Sequence, residues 1–178
     1  MAVSAAGLCV AAFARAESSA AARWNALAVE SIRHDFARPP VHARNLFHLS
    51  AAMWDAWRAF GGGAACFVDC TGDPGALSVQ AARERSISVA SYRVLVARFG
   101  QSPGFAQMKP QYDALLAAYG ASASDTHDVG NDPIAVGNRV SESILAAALL
   151  DGANEPGNYA NLVYHSVNTP LIVAAGGN

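Results

Sequence analysis

The chain has 178 residues, with 12 basic and 14 acidic side chains and a formal net charge of −2. This length suits one domain with a substantial core, and the nearly balanced charge argues against a surface that binds nucleic acid or anionic lipid. Hydrophobic residues make up 52% of the chain, but 39 of the 178 residues are alanine, which favours close-packed helices, and no run approaches the roughly 18 apolar residues of a membrane span.

The first 16 residues have some features of an export signal. Residues 5–14 form an apolar run, and Ala14 and Ala16 occupy the positions of an A-x-A cleavage site. The basic region that normally precedes such a run is absent, so residues 1–16 are either a cleaved signal peptide or an alanine-rich helix start. The first interpretation predicts export to the periplasm or the medium, and the second predicts a cytoplasmic protein.

The three cysteines leave two interpretations open. Cys66 and Cys70 lie in the sequence CFVDC, and in an oxidising compartment this pair is a candidate disulfide if the local geometry allows it. A zinc pair is the alternative, but structural zinc usually has four ligands and no second Cys or His pair has ligand spacing. Cys9 leaves with the signal peptide if that peptide is cleaved.

A first helix is predicted from Ser18 or Ser19 to about Phe36. Either serine is suited to cap the helix, because its hydroxyl accepts a hydrogen bond from a free amide of the first turn. Arg33 and His34 have the charge sign that is favoured in a last turn. The residues expected to face inward are Ala20, Trp24, Leu27 and Ile32.

A second helix is predicted from near Val41, directly after Pro39 and Pro40, to the glycines at 61–63. Its apolar residues recur at spacings of three and four, so we expect it to be mostly buried and the other helices to pack against it. The expected inward residues are Leu46, Leu49, Met53, Ala56 and Phe60, with Phe47, Trp54 and Trp57 widening the apolar arc.

Four polar residues of the second helix, Arg44, His48, Asp55 and Arg58, are spaced to form one stripe on the opposite face. We call them the charged stripe. Such a stripe is either catalytic or a set of ion pairs with a neighbouring helix. We favour the ion pairs, because charge networks on buried helices are often structural.

The third and fourth helices follow a loop at 61–75. Ser78 is the predicted cap of a helix that ends near Phe99, and Pro110 suits the first turn of a shorter helix that ends before Gly120. The expected apolar stripes are Ile87, Ala90, Val94 and Ala97 in the third helix, and Tyr112, Leu115, Leu116 and Tyr119 in the fourth; Arg83, Glu84 and Arg85 are expected in solvent.

Asp132 and Pro133 form a strong cap and first-turn pair for a fifth helix that ends near Asp151 and Gly152. Gly137 in its interior indicates close approach by another helix. The prediction is therefore an all-α bundle of about five helices at residues 17–153.

Residues 154–178 have a different character, with several asparagines and an apolar group at Leu171, Ile172 and Val173. An apolar group needs a surface to cover. We therefore expect an irregular, extended segment that leads into a further region of a longer parent protein.

Other polar clusters do not match known metal sites. His42 and His48 are not at the spacing of a helical metal pair, so hydrogen bonding within the bundle is the default interpretation. The polar residues Asp125, Asp128, Asn131 and Asp132, like those of Asp151–Asn158, do not fit a calcium loop, and caps and turns explain them more simply.

Four sequence blocks carry a resemblance to a known family. They are RWNALAVESIRHDFARPPVHARNLFHLSAAMWDAW, SISVASYRVLVARFGQSPG, DPIAVGNRV and DGANEPGNYANLVYHSVNTPL. In this order they resemble the N-terminal helical region of bacterial vanadium-dependent haloperoxidases, over most of residues 23–178. This group shares a mostly helical superfamily with type 2 phosphatidic acid phosphatases. The resemblance implies a full-length enzyme that uses vanadate and hydrogen peroxide to oxidise a halide.

The resemblance does not place an active site in this chain. In the family, vanadate is held by Lys-x6-Arg-Pro, Pro-Ser-Gly-His and Ser-Arg-x5-His motifs in the later part of the protein, and none occurs here. Lys109 is followed seven residues later by Leu116, and residues 102–105 read Ser-Pro-Gly-Phe without the histidine. An oxyanion site needs several convergent donors. We therefore assign no catalytic, cofactor-binding or metal-binding residue, and no cofactor, to this chain.

Two classes of function follow from the sequence. The chain is either the N-terminal scaffold of a haloperoxidase-like enzyme, with a missing C-terminal catalytic region as its partner, or a non-catalytic helical binding or interaction module. A related acid phosphatase built on the same fold is a further alternative. The sequence predicts no nucleic-acid partner and leaves the oligomeric state open, a homo-oligomer included.

Overall fold

A computed structural model describes residues 18–61, 65–68, 71–165 and 167–168. Within these residues the chain forms five α-helices followed by one 3-10 helix, and no strand. The helices are α1 (Ala20–Arg33), α2 (Pro39–Arg58), α3 (Val79–Phe99), α4 (Phe105–Ala118), α5 (Pro133–Ala148) and the 3-10 helix (Glu155–Gly157). The predicted all-α, five-helix bundle is confirmed. The predicted signal peptide at residues 1–16 and the apolar group at 171–173 lie outside the described residues.

The central helix of the bundle is α3, which contacts all four of the other α-helices. The expectation that the second helix would hold this place is therefore wrong. Buried small residues on α3, including Ser86, Ser88 and Ser91, allow its neighbours to come close. A Cβ atom on Gly137 would lie 2.6 Å from Val89 Cβ and 2.8 Å from the Ser86 carbonyl oxygen. The predicted close approach at Gly137 is thus confirmed, and α3 is the helix that makes it.

Three of the predicted helix starts are set by local caps. Ser19 Oγ accepts from Ala22 N at 3.2 Å, and Ser78 Oγ accepts from Ala81 N at 3.1 Å. The Asp132 carboxylate accepts from the first amides of α5. These hydrogen bonds satisfy amides that have no partner inside the helix. Three other predicted helix limits differ by two or three residues. Helix α1 ends at Arg33 and not near Phe36, α2 begins at Pro39 and not near Val41, and α5 ends at Ala148 and not near Asp151.

Helix α4 begins earlier than predicted, at Phe105, so that Pro110 lies inside the helix and not in its first turn. A tertiary contact fixes this start. The backbone amide of Gly104 donates to the His34 carbonyl oxygen at 3.1 Å, and Ser102 Oγ donates to the same oxygen at 3.2 Å. The turn before α4 is therefore held against the end of α1, and the helix starts there despite the interior proline.

The predicted inward residues Leu49, Met53, Ala56 and Phe60 of the second helix are buried, but the residues placed on either side of them are not where they were expected. Phe47, Trp54 and Trp57, which were expected to widen the buried arc, are 57%, 39% and 38% exposed. His48 and Asp55 of the charged stripe are buried instead. The inward face also carries the buried small residues Ala51, Ala52 and Ala56. We attribute this arrangement to size, because an alanine-rich face lets α3 and α5 pack closely where indole rings would not fit.

Two predictions about α3 are also wrong. Ala97 was placed in the apolar stripe but is exposed, whereas Arg83 and Arg85 were placed in solvent but are half-buried, as is Glu84 between them. The Arg83 guanidinium lies 4.1 Å from the centre of the Trp57 ring, and Arg85 Nε donates to the Tyr119 carbonyl oxygen at 3.1 Å. Long arginine side chains lie along apolar neighbours and reach backbone acceptors, which a helical pattern does not reveal.

We expect Gly137→Ala to lower the free energy of unfolding by about 1–3 kcal/mol, because the new methyl group would overlap α3. Urea unfolding monitored by circular dichroism measures this change. On an open helix face the same substitution would stabilise the protein by about 1 kcal/mol. A stabilised variant would therefore contradict the close contact between α3 and α5.

A buried ionic cluster as the candidate functional site

Charged side chains from three parts of the chain meet where the residues after α5 lie against α2 and α3. Arg44 and His48 come from α2, Arg98 from α3, and Asp151 and Glu155 from the segment after α5. We call these five residues the ionic cluster. It is the largest convergence of titratable side chains in the part of the chain that the structure describes, which makes it the candidate functional site.

Arg44 has a hydrogen-bond acceptor at each of its guanidinium nitrogens. Its Nε donates to Asp151 Oδ2 at 2.6 Å, and its Nη2 donates to Glu155 Oε2 at 2.8 Å and to the Ala148 carbonyl oxygen at 2.7 Å. Nη1 donates to the Tyr159 hydroxyl at 3.3 Å. The guanidinium of Arg44 therefore donates charge-assisted hydrogen bonds to two carboxylates, those of Asp151 and Glu155.

Arg98 connects the cluster to α3. Its side chain is only 3% exposed, and its Nη1 donates to Glu155 Oε1. Its Nη2 lies 3.1 Å from His48 Nδ1. Because a guanidinium can only donate, Nδ1 must be the accepting nitrogen and the imidazole proton is on Nε2. His48 Nε2 in turn lies 3.6 Å from Asp151 Oδ2.

His48 is neutral at physiological pH. Burial lowers its pKa from 6.5 to about 4, and the positive charges of Arg98 and Arg44 add to this effect more than Asp151 and Glu155 oppose it. An imidazole with a pKa this low stays uncharged near pH 7 and is a weak base there, and its Nδ1 is already occupied by the hydrogen bond from Arg98. The geometry thus gives His48 the role of a fixed acceptor for Arg98.

The two carboxyl groups of the cluster are ionised. The hydrogen bond from Arg44 is the largest effect on Asp151 and holds its pKa below the usual value, although burial opposes it. For Glu155, burial alone would raise the pKa, but hydrogen bonds from Arg44 and Arg98 outweigh it and the pKa is lowered. Two cations therefore face two anions, so the cluster has no excess positive charge with which to hold an oxyanion.

The cluster fixes the position of the segment after α5. Asn154, Asn158 and Tyr159 have positive φ angles of 54°, 53° and 60°. Such a conformation is unfavourable for a tyrosine. The Tyr159 ring lies beneath both Arg38 and Arg44, at 5.7 Å from each guanidinium carbon, and Arg38 Nη1 donates to Asn158 Oδ1 at 3.2 Å. Contacts with α2 and its cap therefore compensate for the backbone strain.

The charged stripe predicted on α2 does not act as one unit. Arg44 and His48 join the ionic cluster: Arg44 pairs with Asp151 and Glu155 of the segment after α5. His48 accepts a hydrogen bond from Arg98 of α3, which is a contact with a neighbouring helix but not the predicted ion pair. Asp55, which is 0% exposed, accepts from Phe67 N at 2.9 Å and from Val68 N at 2.8 Å. Arg58 donates to the Gly61 carbonyl oxygen. Asp55 and Arg58 therefore hold the loop after α2, and none of these hydrogen bonds reaches the ionic cluster.

The other polar residues considered in the sequence have structural partners. His42 Nε2 lies 3.2 Å from Asp35 Oδ2. Lys109 pairs with Asp113 one turn later in α4. In the polar loop before α5, Asp125 accepts from the Ser122 amide, Asp132 caps α5, and the carbonyl oxygens of Asp128 and Asn131 accept from Arg139 and the Asp73 amide. Within the described residues, no group of three or more His, Cys, Asp or Glu side chains is arranged to hold a metal ion.

Cys66 forms a disulfide bond. Cys70, its predicted partner, lies outside the described residues, as does Cys9. Among the helices that the structure describes, none is long and apolar enough to cross a membrane.

A groove of about 730 Å³ between α3 and α5 was not predicted from the sequence. Its apolar wall consists of Val96, Ala97, Leu145, Ala146 and Leu149, and Glu155 of the ionic cluster lies at its edge. Arg93 and Asn138 also line it, but their polar atoms already hold the loop before α5: Arg93 Nη2 and Asn138 Nδ2 each donate to the Asp125 carbonyl oxygen at 2.8 Å. Ser141, which also lines the groove, donates its hydroxyl to the Asn138 carbonyl oxygen at 2.7 Å.

Comparisons of the chain with protein-family models, curated proteins and solved structures found no match.

We expect Asp55→Ala to lower the free energy of unfolding by about 3 kcal/mol, because it removes a fully buried carboxylate and leaves the amides of Phe67 and Val68 without their charged acceptor. Thermal and urea unfolding monitored by circular dichroism measure the loss. Glu142→Ala, at an exposed position of α5, is a matched control that should change stability by less than about 0.5 kcal/mol. Equal losses in the two variants would contradict the structural role of Asp55.

Stability should fall as the pH decreases from about 7 to 4. The unfolded chain binds a proton at His48 near its ordinary pKa of 6.5, whereas the folded chain binds it only near 4, so acid favours unfolding across this window. The lowered pKa values of Asp151 and Glu155 extend the loss to lower pH, because both carboxylates must be protonated as the cluster breaks.

Urea titrations at a series of pH values test this expectation. We expect His48→Gln to reduce the dependence of stability on pH between about 6.5 and 4 by roughly 2–3 kcal/mol. His165→Gln is the control, since His165 is exposed. The interpretation fails if His48→Gln and the unsubstituted protein have the same pH dependence.

Proposed function

We propose that this chain is the N-terminal helical scaffold of a vanadium-dependent haloperoxidase-like enzyme, and that the oxyanion site belongs to polypeptide outside these 178 residues. The observation that carries the proposal is the charge balance of the ionic cluster. Arg44 and Arg98 converge as cations do at an oxyanion site, but Asp151 and Glu155 already neutralise them. A cluster of this kind joins α2 and α3 to the segment after α5 and leaves vanadate without a cationic site.

The residues that carry the family resemblance are also those that build the cluster. Arg44 and His48 lie in the first sequence block, Arg98 in the second, and Asp151 and Glu155 in the fourth. The third block contains Asp132 and Gly137, which cap α5 and allow its contact with α3. The blocks therefore correspond to residues that determine the bundle architecture, as expected if the resemblance concerns a scaffold.

A non-catalytic interaction module is the second candidate. The large exposed aromatic residues of α2 and the groove between α3 and α5 favour it, because surfaces of this kind are typical of protein contacts. The reading frame after the codon for Asn178 distinguishes the two candidates. Downstream oxyanion-binding motifs would support the scaffold, and a stop codon would support the module.

We expect the isolated 178 residues to show no vanadate-dependent oxidation of bromide by hydrogen peroxide, because the paired arginines cannot hold the anion. Bromination of a phenol-red indicator measures this activity against a blank with vanadate alone. The same preparation should not hydrolyse p-nitrophenyl phosphate, which tests the acid phosphatase alternative. Turnover above the blank that disappears in Arg98→Ala, with the fold retained by circular dichroism, would overturn the proposal.

A further inference from the structure

The outward face of α2 has the spacing of a coiled-coil interface. Ala43, Phe47, Ser50, Trp54 and Trp57 are all exposed and follow one another at steps of four, three, four and three residues. This alternation averages 3.5 residues and keeps the side chains in line along a packed partner helix. We call these five residues the outward seam.

The outward seam is apolar although it lies in solvent. Phe47 is 57% exposed and meets the ring of Phe67, itself 60% exposed, edge to face at a centroid distance of 6.0 Å. Trp54 and Trp57 are stacked at 5.6 Å. The four aromatic side chains together expose about 400 Å². None of the seam residues is charged, and the cores of protein interfaces have the same composition.

The order of large and small side chains makes the seam complementary to itself. When a second copy of α2 lies antiparallel, with Ser50 facing Ser50, each Trp57 faces Ala43 and each Phe47 faces Trp54 of the other copy. Large residues then face small ones at both ends, Phe47 and Trp54 form an aromatic contact on either side of the centre, and Ser50 meets Ser50 at the centre. A parallel pairing would place Trp57 against Trp57 and leave a gap at Ala43. Self-complementarity of this kind is the requirement for a twofold interface.

Two details of the surface agree with the antiparallel pairing. Ser50 Oγ donates to the Leu46 carbonyl oxygen of its own helix at 2.8 Å, so the hydroxyl is already satisfied when it is covered. A depression of about 270 Å³ lies beside it, lined by Ala21, Ser50, Met53, Trp54, Trp57 and Ile87. In the antiparallel arrangement this depression is opposite Phe47 of the second copy and acts as the hole for that side chain.

The area of the surface also suits a dimer. The four aromatic residues of two copies together expose about 800 Å², which is of the same order as the roughly 1,000 Å² of a specific interface. We propose that the chain forms a twofold symmetric homodimer through antiparallel pairing of its outward seams. This proposal does not depend on the proposed function, because it uses neither the ionic cluster nor the family resemblance.

Sedimentation equilibrium of the 178-residue chain tests the dimer. Phe47→Glu and Ser50→Glu should each raise the dimer Kd by about 30-fold or more, since buried interface centres are sensitive to substitution. Val129→Glu, at a residue that is 86% exposed outside the seam, is the control and should leave the Kd unchanged. Circular dichroism verifies that all three variants retain the fold.

Cysteine cross-linking tests the orientation, in a background where Cys9 is replaced by serine. Ser50→Cys should cross-link two chains on oxidation, because residue 50 meets its own copy at the twofold axis. Ala43→Cys should not, because it faces Trp57. Equal cross-linking of both variants would indicate a parallel pairing and overturn the proposal.

A chain that remains monomeric at about 100 µM would also overturn the proposal, because a specific interface is expected to hold two copies together at this concentration. The outward seam would then be a surface for a different polypeptide.

Discussion

The pairing of Arg44 and Arg98 with Asp151 and Glu155 is the interaction on which the arrangement of the bundle depends. Removing a guanidinium from water costs several kcal/mol unless a well-placed anion compensates for it. Helices α2 and α3 can therefore bury these arginines only because the segment after α5 brings two carboxylates to them. The same contacts hold Tyr159 in a left-handed conformation. The inward face of α2 and the path of the chain after α5 thus determine each other.

Helix α2 shows how burial can favour polar over aromatic residues. Arg44, His48 and Asp55 face inward, and each has partners that satisfy its polar atoms. Trp54 and Trp57 face outward, because the inward positions beside them are occupied by small residues that bring α3 and α5 close. Close backbone packing and the pairing of these charged side chains together outweigh the burial of two indole rings. The consequence is a large apolar surface on the outside of the bundle.

The functional proposals rest on different parts of the molecule. The scaffold proposal uses the neutralised cations of the ionic cluster and the family resemblance in the sequence blocks that supply them. The dimer proposal uses only the spacing, size and exposure of residues on α2. The two are compatible, because the ionic cluster and the outward seam of α2 have no residue in common. A scaffold can therefore support one region and pair with a second copy through another.

The sequence by itself determined the helical class, the number of helices, three of the helix caps and the close contact at Gly137. These features depend on neighbours along the chain. A serine or aspartate caps a helix by accepting from amides two or three residues away, and a glycine inside a helix has no side chain to keep another helix at a distance. Only the tertiary structure decided the start of α4, the burial of His48 and Asp55 in place of the aromatic residues of α2, and the composition of the ionic cluster. Arg44 meets a carboxylate 107 residues later in the chain, and no local pattern specifies that partner. Helical spacing shows which residues share a face, but the packing of the other helices decides which face is buried.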